Sequence, residues 1–424
     1  PLPRRGRRAG VMAAIEMAGL LLLALAALAT LVYWSVVLYH IVRTIILIPT
    51  ARRGLSLSLG PAGALPPRIC VIVPAHNEEA AIADVARTLS MQDYPSANLR
   101  CVFVLDRCTD RTRAVLEAAW KGSLPPTIIE LDSCPSGWVG KSHAVWSGAT
   151  TSDSAGEADL LLFIDADTVL HPGAVRAAAA LLHHRRVGML SLLSTLTHRH
   201  WFEKLVQPAA AMELMRQYPI VRANTRSPAR RRAFANGQFI LIRRDLYFTI
   251  GGHQAIRDRV LEDVELARLV ARDGTPAALL LASGLVHCRM YESYEGFVRG
   301  WKRILGESAG RKPARLRKTA FRLRVVSVVL PLASAAAIAL AAVRLSGPHH
   351  AIAWLCLALG IAGLSVHWLA VGVAFALGRT PLWAVPGFAL GSWLVGGIMH
   401  RTARDLDQRL PTVWGGREYV REAQ

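Results

Sequence analysis

Two aspartates separated by one residue follow the apolar run 160–164, and they offer the clearest chemistry in the sequence. At the end of a buried strand, the carboxylates of Asp165 and Asp167 would repel each other unless a cation lay between them. Such carboxylates hold a hard divalent cation, Mg²⁺ or Mn²⁺. Phosphate oxygens of the substrate then complete the coordination of the cation. We therefore expect a divalent cation at this position. The alternative is that one of the two side chains only caps the next helix.

Polar residues follow two other apolar runs in the same way. The run 69–73 is followed by Pro74, Ala75 and Glu78, and the run 101–105 is followed by Asp106. No glycine-rich phosphate-binding motif occurs at these points. A phosphate bound here would therefore need a positively charged group between it and the carboxylates.

These residues need a sheet to position them. Four apolar runs, 69–73, 101–105, 127–131 and 160–164, are bounded by polar turns and separated by helical stretches. This alternation predicts a largely parallel sheet covered on both faces. We expect an α/β, Rossmann-like fold, in which ligands bind beyond the carboxyl ends of the strands. The polar residues described above follow those ends.

Longer apolar runs flank this middle part of the chain. Residues 11–42 exceed the roughly 20 residues that a helix needs to cross a bilayer, and they are too long for the apolar core of a cleavable signal peptide. Three more runs cover 325–343, 351–377 and 381–399, and Pro386 and nearby glycines leave a re-entrant form of the last one open. We expect an N-terminal anchor over residues 1–50, an α/β domain over 66–310, and a basic linker, two or three spans and a tail over 311–424.

The charge distribution favours a membrane surface. Lys and Arg number 50 against 30 Asp and Glu, which gives a net charge of +20. Seven cations lie between residues 311 and 324, so the positive-inside rule places the α/β domain in the cytoplasm, at the inner membrane. Four arginines before residue 9 would hold the N-terminus on the same side, which leaves open a hairpin in the first run or an upstream extension.

Composition also excludes two classes of protein. No helix-turn-helix or RNP-like pattern occurs, so we expect no nucleic-acid partner. The six cysteines form no CxxC pair, which argues against a zinc module or a disulfide scaffold.

In their order along the chain, several motifs resemble membrane-bound family 2 glycosyltransferases with a GT-A fold. They are the sequence PAHNEE at 74–79, the turn LDRCTD at 105–110, the Asp-Ala-Asp triplet at 165–167 and the pair Glu262-Asp263. The segment GWVGK at 137–141 is similar to the subgroup acting on lipids, which includes ceramide glucosyltransferase-like, hopanoid-associated and carotenoid-associated enzymes.

The resemblance implies a nucleotide-sugar donor, with a UDP-sugar favoured. In a UDP-sugar, the imide N–H of the uracil would donate to a carboxylate of this site, and that carboxylate is Asp106. Arg107 stands where the family often has a second acid. The donor-binding residues implied in this way are Pro74, Ala75, Glu78, Asp106, Lys141 and Asp165.

The resemblance also implies the catalytic residues. Asp263 would be the general base that deprotonates the acceptor, with Glu262 beside it, although both also fit a charged helix N-terminus. The metal ligands would be Asp165 and Asp167, with His287 as a third unless it is an ordinary core histidine.

The family's Gln-x-x-Arg-Trp motif is degraded here. Trp301 is kept, but Phe297 and Gly300 replace the Gln and the Arg, while Arg299 and Lys302 lie alongside on the expected acceptor and diphosphate side. In the family this motif guides a growing glycan, so its loss favours transfer of a single sugar. The stripe Tyr294, Phe297, Trp301 and Leu305 fits an interfacial helix and a buried helix equally.

A second amphipathic stretch precedes a group of arginines. The residues of these two groups, Trp201, Leu205, Met212, Met215, Tyr218 and then Arg226, Arg230, Arg231 and Arg232, suggest an apolar entrance with a basic rim that leads a lipid to Asp263. The sequence thus predicts an inverting, metal-dependent glycosyltransferase that moves one sugar from a nucleotide-sugar to a membrane lipid. The alternatives are a processive polysaccharide synthase and a non-catalytic membrane protein that binds nucleotide-sugar or lipid.

Overall fold

The computed structural model describes residues 4–60, 65–346, 349–410, 412–414 and 417–419. The strands in these residues are β1 (Ile69–Ala75), β2 (Leu99–Asp106), β3 (Thr127–Leu131), β4 (Leu160–Phe163), β5 (Thr168–Leu170), β6 (Met189–Leu193), β7 (Thr195–Leu196), β8 (Ile240–Arg243), β9 (Ala277–Leu281), β10 (Val286–Cys288), β11 (Thr412–Trp414) and β12 (Arg417–Tyr419).

The helices before residue 250 are α1 (Arg4–Leu47), α2 (Ile82–Ser90), α3 (Thr112–Ala119), α4 (Gly140–Thr151), α5 (Asp153–Gly156), α6 (Ala174–Arg185), α7 (Trp201–Leu205), α8 (Gln207–Gln217), α9 (Ile220–Ala223) and α10 (Arg244–Thr249). Those that follow are α11 (Glu262–Asp273), α12 (Tyr294–Ser308), α13 (Pro313–Arg324), α14 (Leu330–Ala342), α15 (His350–Leu377) and α16 (Phe388–Asp407).

The main sheet has seven strands among the described residues, in the order β3-β2-β1-β4-β8-β6-β9. The four apolar runs form β1 to β4, which are mutually parallel, as their continuous apolar character predicts. Strand β8 is antiparallel to both of its neighbours, β4 and β6. Successive residues of β1 enter different apolar clusters on the two faces, Val71 in one and Ile72 in the other. The sheet is therefore covered on both sides, and the predicted α/β fold is confirmed.

A small sheet, β5-β10-β7, lies beyond the carboxyl end of β4. Strand β5 begins directly after the Asp-Ala-Asp triplet, and it pairs antiparallel with β10 so that Cys288 lies opposite Thr168. This pairing brings residues 120 positions apart in the chain to the same edge of the main sheet.

Among the residues that the structure describes, four helical segments are long and apolar enough to cross a membrane: Ala14–Ser56, Pro313–Ala342, His350–Leu377 and Leu382–Asp407. Helix α1 is one continuous helix, so the hairpin alternative for the first apolar run is wrong. Its Thr30 accepts a hydrogen bond from Ser334 of α14 at 2.9 Å. The Trp34 indole donates to the carbonyl of Val326 at 3.0 Å, which joins α1 to the α13–α14 segment.

The apolar helices and the α/β domain share one core. Trp34 of α1, Phe202 of α7, Phe297 and Trp301 of α12 and Phe388 of α16 belong to a single buried cluster. The apolar stripe of α12 is therefore buried, because side chains from α1, α7 and α16 pack against it. Helix α16 also approaches α7 so closely that a Cβ on Gly391 would overlap the carbonyl of Leu205.

Candidate active site

The ammonium group of Lys141 joins two carboxylates at the carboxyl edge of the main sheet. Its Nζ lies 2.7 Å from Oδ1 of Asp165, which follows β4, and 2.6 Å from Oε1 of Glu262, the first residue of α11. Burial opposes the charge on Lys141, but these two carboxylates outweigh burial and raise its pKa. Lys141 therefore stays charged and fixes the sheet edge relative to α11.

Asp263 lies next to this ion pair and is held by backbone groups. Its Oδ2 accepts the N–H of Gly237 at 2.9 Å, and its Oδ1 accepts the N–H of Val264 at 2.7 Å. Burial and the adjacent Glu262 raise the pKa of Asp263 to about 7. A carboxyl group with this pKa is suited to exchange a proton near neutral pH.

Asp167 is partly buried, and only one of its carboxylate oxygens has a hydrogen-bond partner. The Cys288 thiol donates to its Oδ2 at 3.3 Å, while its Oδ1 is buried without a hydrogen-bond partner. Burial and the nearby Asp165 raise the pKa of Asp167 to about 7. An unsatisfied buried carboxylate oxygen beside a second carboxylate fits a divalent cation, so Asp165 and Asp167 are suitable ligands for it.

Glu78 faces the same group of acids. Burial, followed by the charges of Asp167 and Asp165, raises its pKa to about 7. Pro74 lines a small pocket together with Lys141, Asp165 and Asp263, and Ala75 is the buried last residue of β1. The structure therefore brings Pro74 and Glu78, which follow the apolar run 69–73, close to the residues that follow the run 160–164.

Asp106 is already paired. Both of its carboxylate oxygens accept hydrogen bonds from the Arg107 guanidinium, at 2.9 and 2.7 Å. A Cβ on Gly140 would lie 2.8 Å from Asp106, so this glycine lets α4 begin against the pair. The expected contact between Asp106 and uracil thus stays a prediction, and it would require Asp106 to share or exchange Arg107.

His287 is not brought to the two aspartates. It precedes Cys288 in β10, and successive residues of a strand face opposite sides, so the side chain beside Asp167 is that of Cys288. Burial and Arg379 lower the pKa of His287. Within the described ranges, no three His, Cys, Asp or Glu side chains form a group that could hold a metal. This corrects the expectation of His287 as the third ligand.

The cations beside Trp301 also differ from expectation. Lys302 forms an ion pair with Asp405 of α16, and its charge serves to join two helices. Arg299 is exposed. Neither residue lines the cavity that contains Asp263, so the structure corrects their assignment to the acceptor side. Trp301 does line this cavity while it is 97% buried, with 3% of its surface exposed.

A cavity of about 1370 Å³ connects Asp263 with the apolar helices. Its wall includes Trp34, Val37 and Ile41 of α1 and Phe375 of α15. Of the entrance expected from the sequence, Met212, Met215, Tyr218, Arg230, Arg231 and Arg232 line the cavity, whereas Trp201, Leu205 and Arg226 do not. A long apolar ligand in this cavity would reach the carboxylate that has a pKa near 7.

Two residues at the site were not found from the sequence. Gly237 donates to Asp263, and a Cβ there would lie 3.1 Å from the Lys141 ammonium. Cys288 donates to Asp167. A glycine and a single cysteine carry no motif, and both reach the site only through long-range contacts. The one available signal was that Cys288 directly follows His287, a residue singled out already.

Comparison with known proteins identifies the family. Residues 66–295 match the model of the glycosyltransferase-like family 2, which is more than half of the chain, and the chain belongs to this family. The family resemblance of the motifs and the GT-A-type α/β fold are thereby confirmed.

Curated relatives include the 4,4'-diaponeurosporenoate glycosyltransferases of Staphylococcus haemolyticus, 26% identical over 242 residues, and of Staphylococcus aureus, 26% identical over 249 residues. Each match covers 57% of this chain and 62% of the relative, so the chain spans less than two thirds of the relatives' length.

Two solved structures align with most of this chain at low sequence identity. The mannosyltransferase PcManGT from Pyrobaculum calidifontis, in complex with GDP-Man and Mn²⁺, is 20% identical with a TM-score of 0.47 and covers 89% of this chain and 99% of its own. Residues 1–349 of TarS from Staphylococcus aureus are 14% identical with a TM-score of 0.38 and cover 84% and 96%.

Replacing Lys141 tests the ion pair at the sheet edge. In Lys141→Met the carboxylates of Asp165 and Glu262 face each other without a cation, and breaking a buried pair in this way costs about 3 kcal/mol or more. We expect a lower melting temperature for the purified protein in detergent, measured by differential scanning fluorimetry. Lys121→Met, at an exposed position, is the matched control and should melt as the wild type does.

A second substitution separates charge from packing. In Lys141→Met/Glu262→Gln one of the two unpaired charges is removed, so part of the lost stability should return. If this double variant melts no higher than Lys141→Met, the ion pair is not what Lys141 contributes.

Proposed function

We propose that this protein is a multi-pass membrane glycosyltransferase that transfers one sugar from a nucleotide-sugar to a lipid acceptor with inversion at the anomeric carbon. The observation that carries the proposal is the cavity that joins Asp263 to α1 and α15. A lipid held there would present its polar end to Asp263 without leaving its apolar surroundings. The staphylococcal relatives, named for the acceptor 4,4'-diaponeurosporenoate, support an acceptor of lipid type.

The membrane placement follows from the helices and the charges. In the described part of the chain, four segments are long and apolar enough to span a bilayer, and seven cations lie between residues 311 and 324, at the start of the second segment. By the positive-inside rule we place the family 2 domain in the cytoplasm, where nucleotide-sugars would reach it from the inner face of the cell membrane.

The sheet edge is suited to the donor. Asp165 and Asp167, with Glu78 near them, would repel a free diphosphate, and a divalent cation between Asp165 and Asp167 would remove this repulsion. A cation bound by Asp165 and Asp167 would neutralise charge on the leaving diphosphate. The donor nucleotide, which we propose to be UDP, would lie along Pro74, Ala75 and Asp106.

Asp263 is positioned to act as the general base. Its two oxygens are fixed by the N–H groups of Gly237 and Val264, and each oxygen keeps a lone pair that can accept a proton. Asp263 would deprotonate the acceptor hydroxyl. The hydroxyl oxygen would then attack the anomeric carbon on the face opposite the diphosphate, which leaves. This geometry inverts the anomeric configuration. Glu262 serves as the partner of Lys141 and keeps the start of α11 in place.

Transfer of a single sugar is supported by the environment of Gly300. A Cβ on Gly300 would overlap the hydroxyl group of Tyr291. The Arg of the family's Gln-x-x-Arg-Trp motif therefore has no room at this position unless Tyr291 moves. Without that Arg, the guide for a growing glycan is missing, so we favour one transfer over processive synthesis.

Asp263→Asn tests the proposed base. The wild type in nanodiscs, given Mn²⁺, a panel of nucleotide-sugars and extracted membrane lipid, should release nucleoside diphosphate and add the mass of one sugar to a lipid. The amide cannot take a proton, so the rate should fall about 10²- to 10⁴-fold while the affinity for the donor is kept. Asp258→Asn, at an exposed position on the preceding loop, should leave the rate unchanged.

Three results would contradict the proposal. Equal loss of donor affinity in Asp263→Asn would make the residue structural. Products carrying several sugars would favour a polysaccharide synthase, and donor binding without any release of diphosphate would favour a non-catalytic binding protein.

The pH dependence of the rate follows from the raised pKa of Asp263. Only the ionised carboxylate accepts a proton, and with a pKa of about 7 it is ionised above neutral pH and protonated below it. We expect kcat/KM to fall about tenfold per pH unit on the acid side of neutrality. In Glu262→Gln the neighbouring negative charge is absent, so the pKa of Asp263 falls and the inflection should move to lower pH. An unchanged profile in this variant would show that another group is titrating.

A further inference from the structure

Arginine side chains without carboxylate partners line one part of the cavity that contains Asp263. Arg222, Arg230 and Arg232 belong to its wall, and within the described residues none of them forms an ion pair. Two other arginines of the cavity wall do have a carboxylate partner. Arg216 and Arg322 share the buried carboxylate of Glu213.

Two of the unpaired arginines, Arg222 and Arg232, are joined through their backbones. The backbone N–H of Arg232 donates to the carbonyl of Arg222 at 3.1 Å. The Arg232 guanidinium lies over the ring of Tyr218, 5.2 Å from its centroid. Burial lowers the pKa of Arg232, and the nearby Arg315 and Arg222 lower it further. Cations that lie close together repel each other, and an anion bound between them lowers the electrostatic energy.

The backbone connects these arginines directly to the proposed base. In the extended segment that follows Arg232, the alternate residues Phe234 and Asn236 line the cavity, whereas the residues between them pack into the domain core. The next residue, Gly237, donates to Asp263. Five residues of extended chain span at most about 18 Å, so the Cα atoms of Arg232 and Gly237 lie no farther apart than this.

We propose that the lipid acceptor carries an acidic group, a carboxylate or a phosphate, that Arg222 and Arg232 bind while a hydroxyl of the same molecule lies at Asp263. The inference rests on the proposed function and adds a substrate class to it, that of a lipid that carries both an acidic group and a hydroxyl. The apolar part of the acceptor would pack against Val37, Ile41 and Phe375. Charge complementarity and apolar walls favour this occupant over a neutral lipid.

The test compares two probes that differ by one charge. The full chain in nanodiscs of phosphatidylcholine is titrated with ω-hydroxypalmitate and with its methyl ester, and binding is measured by thermophoresis. The acid should bind about tenfold more tightly than the ester, as expected for a charge-assisted contact with two guanidinium groups. This comparison in the wild type needs no variant, so it stays informative if a variant folds poorly.

Variants then locate the preference. Arg222→Gln/Arg232→Gln should bind the acid and the ester equally, while Arg226→Gln/Arg272→Gln, at exposed positions outside the cavity, should keep the wild-type preference. Equal binding of both probes by the wild type would overturn the proposal, and so would a preference that survives in the first variant.

A further arm distinguishes an acidic acceptor from an anionic bilayer lipid. If the arginines bind an anionic bilayer lipid instead, nanodiscs that contain phosphatidylglycerol would raise the affinity for both probes equally. This effect would occur only in proteins that keep Arg222 and Arg232. That result would also overturn the proposal. Failure of the proposed function is visible separately, as the absence of nucleoside diphosphate release with any lipid, because the binding measurement does not depend on turnover.

Discussion

The ammonium group of Lys141 lies between Asp165 at the end of β4 and Glu262 at the start of α11, at 2.7 and 2.6 Å. Each of the three charges would be costly to bury without the others. Their mutual pairing sets the distance between the two halves of the site, because Asp165 lies at the edge where we propose that the donor binds and Glu262 directly precedes the proposed base, Asp263. A shift of Lys141 would therefore change the donor side and the acceptor side together.

The apolar helices are part of the same construction. Trp34 of α1 and Phe388 of α16 are packed with Phe297 and Trp301 of α12 in one cluster, so the family 2 domain is fixed to the helices through a shared core. The cavity runs between them from Asp263 to Val37 and Phe375. An apolar ligand in this cavity could thus stay among apolar side chains and still reach the polar groups around Asp263.

Much of this arrangement was predictable from local patterns. The strands β1 to β4 are continuous apolar runs, and the residues after them, Glu78, Asp165 and Asp167, meet because the carboxyl ends of parallel strands share an edge. The contacts that escaped prediction are long-range. Lys302 pairs with Asp405, 103 residues away, and the position of Cys288 depends on the pairing of β10 with β5. The stripe on α12 has the same period in a core as at a membrane surface, so only its tertiary partners decide between them.

The most direct measurement of the central claim is an experimental structure of the protein in nanodiscs with Mn²⁺, a nucleotide-sugar and extracted membrane lipid. We expect Mn²⁺ density against the unsatisfied Oδ1 of Asp167, the sugar beside Lys141, and elongated lipid density from Asp263 towards Val37 and Phe375. Donor bound elsewhere, or a cavity without lipid while the metal and the sugar are in place, would contradict it.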